Sequence, residues 1–200
     1  MFFDKSKGAF RAGTAVGVNW DEDTLGTNSF ASGFNTKATG RESTAMGTNT
    51  EASGNISTAM GDDSEASGDY STSMGSQTKA TGQESTAMGR RTIASGNIST
   101  SFGYITKATG SKSTAMGSGT RASGSSSTSF GYSTEASGDN SISMGLQTKA
   151  TGKNSTAMGQ ETQSNGFSSL AIGLFNDTLV GTELYINNNS PLFIVGNGNS

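Results

Sequence analysis

Large apolar side chains recur singly along most of this chain, one every fourteen residues. They stand at Met46, Met60, Met74, Met88, Phe102, Met116, Phe130, Met144, Met158 and Ile172. Glycine recurs twice as often, at Gly26, Gly33, Gly40, Gly47, Gly54, Gly61, Gly68 and onward in steps of seven to Gly173. From Thr27 to Gly173 every heptad that ends on its glycine reads x-x-[Ser/Thr]-x-[Ala/Ser]-x-Gly. In the intervening heptads the sixth position is small and polar, as at Ser32, Thr39, Ser53, Ser67, Thr81 and on to Asn165. The fourth position is mostly Thr before the Met column. Before the hydroxyl column it is mostly charged: Lys37, Glu51, Glu65, Lys79, Lys107, Arg121, Glu135, Lys149. The period is therefore fourteen, built from two unlike sevens.

A coiled coil needs two large apolar positions in every seven, together with good helix formers. This pattern offers one per fourteen, and each of its glycines would cost a helix roughly 1 kcal/mol. Short strands joined by glycine turns fit instead. Fourteen residues predict one coil of a parallel β-solenoid, and roughly ten coils stack. The glycines are expected at turns with positive φ where no Cβ fits. Pro191 stands outside the array, as a ladder that uses every N–H requires.

Alternation along each strand assigns the faces. The fifth position, always Ala or Ser, points into a coil too flat for anything larger. The fourth and sixth positions point outward. One wall shows charge and small hydroxyls. Along it Lys37–Glu51, Glu65–Lys79, Arg121–Glu135 and Glu135–Lys149 stack one coil apart, about 4.8 Å, as exposed pairs worth about 0–1 kcal/mol each. The other wall shows Thr beside the Met/Phe column. Because Ala and Ser already fill the interior, that column is left on the surface and requires cover. A closed cyclic oligomer supplies it, and the spacing does not separate two-fold from three-fold closure.

Composition alone points the other way. Hydrophobic residues make up 30% of the 200, charged residues 14%, and 29 residues are glycine, a profile that without its order would read as disordered. The net charge of −3 is too mild to imply a nucleic-acid partner. With no Cys and no His, disulfides, thiolate metal sites and histidine-dependent catalysis are excluded. No run of apolar residues is long enough to insert in a membrane as a helix. Asp21-Glu22-Asp23 and Asp62-Asp63 are acidic clusters, but calcium-loop spacing is absent, so they read as solvated turns with no metal. No cofactor and no catalytic residue is expected.

The unit Ser-Thr-Ala-Met-Gly-x-x-Thr-Lys-Ala-Thr-Gly, and above all Phe167-Ser-Ser-Leu-Ala-Ile-Gly173, resembles the head repeat of trimeric autotransporter adhesins, the YadA-like left-handed parallel β-roll. The resemblance covers about residues 27–173. It implies left-handedness, a homotrimer with the Thr and Met/Phe positions lining the three-fold interface, and a place on the bacterial cell surface. Met and Thr replace most of the family's Ile and Val. The family's neck, stalk, anchor barrel and signal peptide have no counterpart in these residues. The sequence therefore reads as an excised head segment, or as a repeat borrowed by another fibre.

The expected organisation is an N-terminal cap, 1–26, the repeat array, 27–173, and a C-terminal cap with a truncated or flexible tail, 174–200. Gly8–Gly13 and Ala15–Trp20 read as strand-like pieces of the first. Leu174–Val180, Leu184–Ile186 and Pro191–Val195 read as strands of the second. Three functions follow. The first is an adhesin head contacting a host, matrix or cell-surface ligand, with Ile93, Tyr104 and Ile105 as a candidate contact ridge. The second is a structural spacer in an appendage or tail fibre. The third, an ice-binding solenoid, is disfavoured because Ser/Thr ranks are paired with Lys or Glu on one wall and with Met on the other.

Overall fold

The computed structural model describes residues 1–176 and 193–197. It is an all-β parallel solenoid with fourteen-residue coils, and no α-helix occurs among the described residues. The chain forms two compact units, Met1–Ile98 and Ser99 onward, which repeat the same construction.

Each coil contributes one long and one short strand. In the first unit the long strands are Phe30–Phe34, Thr44–Thr48, Thr58–Asp62, Thr72–Ser76 and Thr86–Arg90. They pair parallel with identical positions aligned, so that Thr44, Thr58, Thr72 and Thr86 form one row. The short strands Lys37–Ala38, Glu51–Ala52, Glu65–Ala66, Lys79–Ala80 and Ile93–Ala94 form the opposite wall. In the second unit the long strands run from Thr100–Tyr104 to Leu170–Leu174, and Phe193–Asn197 pairs parallel with the last of them. Of the C-terminal strands expected from sequence, Leu184–Ile186 and the stretch from 177 to 180 lie outside the described residues.

The short strands stop after two residues for a local reason. The N–H groups of Thr39 and Gly40 both donate to the Ala52 carbonyl, at 3.0 and 3.2 Å, and Ser53 and Gly54 repeat this on Ala66. Two donors spent on one acceptor end the even ladder.

Glycine is demanded in two different ways. At Gly33, Gly47 and Gly61 φ is +131°, +118° and +117°, a region that L side chains avoid. At Gly40, Gly54 and Gly68 φ is not positive, contrary to the expectation from sequence. There the constraint is approach: a Cβ would sit 2.0–2.1 Å from the carbonyl oxygen of the glycine one coil on. The left-handed position of each turn is instead the second of the heptad, occupied by residues as unsuited as Ile56, Tyr70 and Ile98 (φ +55°, +60° and +58°). The ladder imposes it, since Ile56 N–H donates to the Arg41 carbonyl and Tyr70 N–H to that of Asn55, each at 2.8 Å.

The interior holds the fifth-position Ala and Ser, and also the third-position hydroxyls, all of them buried. Where the long strand carries Ser inside, its Oγ bonds the Thr five residues on: Ser73–Thr78, Ser101–Thr106, Ser129–Thr134 and Ser143–Thr148, each at 2.7 Å. Where it carries Ala, the matching Thr36, Thr50, Thr92, Thr120 and Thr162 hydroxyls have no partner.

At the N terminus Phe2–Asp4 pairs antiparallel with Ala9–Thr14, which pairs parallel with Phe30–Phe34. Arg11 occupies the interior lane beside Ala31 and is fully buried. Its guanidinium donates to the carbonyls of Ser29 and Ala38, at 3.1 and 2.9 Å, and to the Ser29 hydroxyl. Desolvation there holds its pKa below the ordinary arginine value. Ala15–Trp20 is not a strand; it runs into a turn from which the Trp20 indole N–H donates to the Thr36 carbonyl at 2.9 Å.

Candidate functional site

The long strands present a continuous outer face in each unit. Within Thr-Ala-Met-Gly the central Ala is buried, while Thr and Met on either side are half-exposed, as the two-residue alternation of a strand requires. In the first unit Met46, Met60, Met74 and Met88 stack in direct register. In the second, Phe102, Met116, Phe130, Met144, Met158 and Ile172 do the same. The aromatic members protrude furthest, with Phe102 49% and Phe130 48% exposed. Full burial of such a side chain is worth about 1.5–3 kcal/mol, so the half left in water holds about 1 kcal/mol per coil in reserve. No ionisable group interrupts the Thr and Met rows.

Sequence reasoning misplaced the start of this face. Ser32 was expected on the hydroxyl wall; it aligns with Met46, on the Met lane. The large residue of that coil is Phe30, in the lane that Thr44, Thr58, Thr72 and Thr86 occupy in the following coils, and Phe10 precedes it there. The signal was available, because Ser32 lies one fourteen-residue step before Met46.

The opposite wall is polar. Its charged lane is in the predicted register, and among the described residues ion pairs form at Lys37–Glu51, 3.7 Å, and Lys79–Glu65, 2.8 Å. The hydrogen bond and charge of Glu65 raise the Lys79 pKa. Glu51 beside Glu65 and Lys107 beside Arg121 place like charges one coil apart.

The candidate contact ridge falls in both units. Ile93 is in a short strand of the first, half-buried and aligned with Lys79. Tyr104 ends the first long strand of the second and Ile105 follows it, 41% and 38% exposed. Further apolar side chains are exposed at Ile56 and Tyr70 in turns and at Tyr132, the last residue of its long strand. Among the described residues no group of three or more acidic side chains converges on a metal-sized site, and no helix is long and apolar enough to cross a membrane.

A family profile described as YadA head domain repeat (2 copies) matches residues 25–50, 52–78, 80–104, 94–120, 122–148 and 150–176. No curated protein matches the chain.

Proposed function

Because the chain belongs to the YadA head domain repeat family, a structural family of surface adhesins, we propose that it is the rod of a homotrimeric bacterial adhesin head. Its long-strand faces pack about the three-fold axis of a left-handed roll. Met46, Met60, Met74, Met88, Phe102, Met116, Phe130, Met144, Met158 and Ile172 line that interface. The single observation that carries the reading is this uncharged, half-exposed face over an interior already filled by Ala, Ser and Thr. Three copies cover it without leaving an open edge. Residues 1–26 cap the first coil, with the buried Arg11 adding charged donors to the Ser29 and Ala38 carbonyls, and residues 174–200 belong to the other cap.

The trimer presents its turns outward for multivalent attachment to a host, matrix or cell-surface ligand, at the bacterial surface as part of a longer anchored protein. Ile93, Tyr104 and Ile105 are the contact residues we assign. A spacer role in an appendage or tail fibre needs the same rod and differs in binding nothing.

Sedimentation equilibrium tests the assembly. Three chains are expected, falling to one when Met60, Met74 and Met88 are each changed to Lys; a 20.3 kDa particle from the unaltered chain refutes it. Cell adhesion that survives Ile93→Ser, Tyr104→Ser and Ile105→Ser together removes the assigned contact residues.

A further inference from the structure

Each coil of the first unit carries one large and one small side chain on its outer long-strand face, and their order reverses at the N-terminal end. Thr44 precedes Met46, and the coils up to Met88 repeat this. In the two layers before it the order is Phe30 then Ser32, and Phe10 then Ala12. The rings of Phe10 and Phe30 stack with centroids 5.3 Å apart and planes inclined by 11°. Phe3 lies opposite Phe10 in the hairpin, extends the same lane and is exposed.

A strictly repeating face has a weakness. From Met46 to Met88 every layer offers the same pair, so over these coils a second copy fits almost as well after sliding by one coil; register is weakly specified wherever the pattern does not change.

We propose that the reversed Phe layers are a register key for self-association, admitting a second copy of this chain only when the first coils are level. The inference rests on the self-association reading above. In a cyclic assembly the Thr lane of one copy faces the Met lane of the next. Level copies then oppose large to small in every layer of the first unit, Phe30 to Ser32 and Met46 to Thr44, the arrangement that fills space without strain. Displacement by one coil opposes Phe30 to Met46, two large groups, in one direction, and Thr44 to Ser32, a gap, in the other. Overpacking and voids both destabilise an interface. The occupant is a copy of this chain because the one-large, one-small rule holds layer by layer through the reversal. A partner without the repeat would not demand it.

Four substitutions erase the key while keeping the number of large side chains: Phe10→Thr, Ala12→Met, Phe30→Thr and Ser32→Met. The chain has no cysteine, so a tagged chain bearing Thr58→Cys, co-expressed with a differently tagged chain bearing Met60→Cys or Met74→Cys, reports alignment by disulfide formation. In level copies positions 58 and 60 face each other across the two lanes. Positions 58 and 74 are offset by a further coil, about 4.8 Å, which carries their Cα atoms past the roughly 7 Å limit for bridging. The expected result is that mass by sedimentation equilibrium stays that of the parent assembly while the 58–74 disulfide rises at least threefold relative to the 58–60 one. Phe10→Leu with Phe30→Leu, which keeps the large-small order, leaves the ratio at the parent value. Should the fourfold variant fail to fold, Phe30→Thr with Ser32→Met is scored in the same way. An unchanged ratio overturns the key, and so does dissociation of the variant, which would make the Phe layers a clamp. A monomeric parent chain overturns the self-association reading itself.

Discussion

Ala115 sits in the interior lane between Ser101 and Ser129, one coil to either side and aligned with it in the ladder. Both serines bond the Thr five residues on at 2.7 Å, whereas Thr120, which Ala115 should serve, is buried with its hydroxyl unpaired. Ala115→Ser supplies the missing group at a site whose two neighbours already accommodate it. A buried hydroxyl pair contributes about 0.5–1.5 kcal/mol net, and an orphaned buried hydroxyl costs about 1–3 kcal/mol. We therefore expect a gain of about 1 kcal/mol, or about 2–4 °C in Tm for a chain of 200 residues. Equilibrium urea unfolding at fixed protein concentration measures it, since self-association makes apparent stability concentration-dependent. The control is Thr120→Val, which removes the partner. In that background Ala115→Ser should lose its benefit, because its own hydroxyl is then the orphan. A neutral or harmful Ala115→Ser, or an equal gain in both backgrounds, refutes the pairing argument.

Other outcomes follow from the same geometry. Gly61→Ala combines φ +117° with a Cβ 2.0 Å from the Gly75 carbonyl oxygen, so a loss of about 4 kcal/mol or more is expected by chemical denaturation. Gly119→Asn, at φ +66° with its nearest obstacle the Ser133 hydroxyl at 3.4 Å, should change stability by less than about 1 kcal/mol. Ile56→Asn relieves a β-branched residue at φ +55° and should raise stability by about 1 kcal/mol. Arg11→Met strips the Ser29 and Ala38 carbonyls of charged donors and should cost about 2–4 kcal/mol in the same assay. Glu65 raises the Lys79 pKa, so the pair's contribution is complete below the unfolded lysine value near pH 10 and fades as pH rises through the folded one. Because both groups remain open to solvent, Lys79→Gln should change the unfolding free energy by less than about 1 kcal/mol at pH 7.

The frame of this fold was legible because glycine recurs every seven residues and, from Met46 on, a large apolar residue every fourteen. Glycine survives where backbones touch, and the apolar column marks the outer face of the long strands from Met46 to Ile172. From those the period, the strands, the Ala lane and the register of the charged lane followed. The third-position hydroxyls were harder. Ser43 and Thr50 look like solvent-facing residues by type, yet they share parity with the Ala lane and are buried beside it; their confinement to Ser and Thr was the available clue. The left-handed turn position was unreadable, since Ile56, Tyr70 and Glu84 are poor choices for it and hydrogen bonds from the coil before force them in. Trp20 and Arg11 make single, non-repeating contacts, and no periodicity points to those.

The turn hydrogen bonds join residues about one coil apart, such as Tyr70 to Asn55 and Gln77 to Asp62. The typical sequence separation of a contact is therefore set by the coil and not by the length of the chain. Rates of folding fall as that separation grows relative to the chain, so a longer array has no larger loops to close than a short one. Each new coil needs only the one before it as a template, and structure can spread along the polypeptide as it is synthesised or threaded through a pore. Lengthening such an array by duplicating fourteen residues leaves the folding problem unchanged in kind, which makes the number of coils one of the cheapest properties for this architecture to alter.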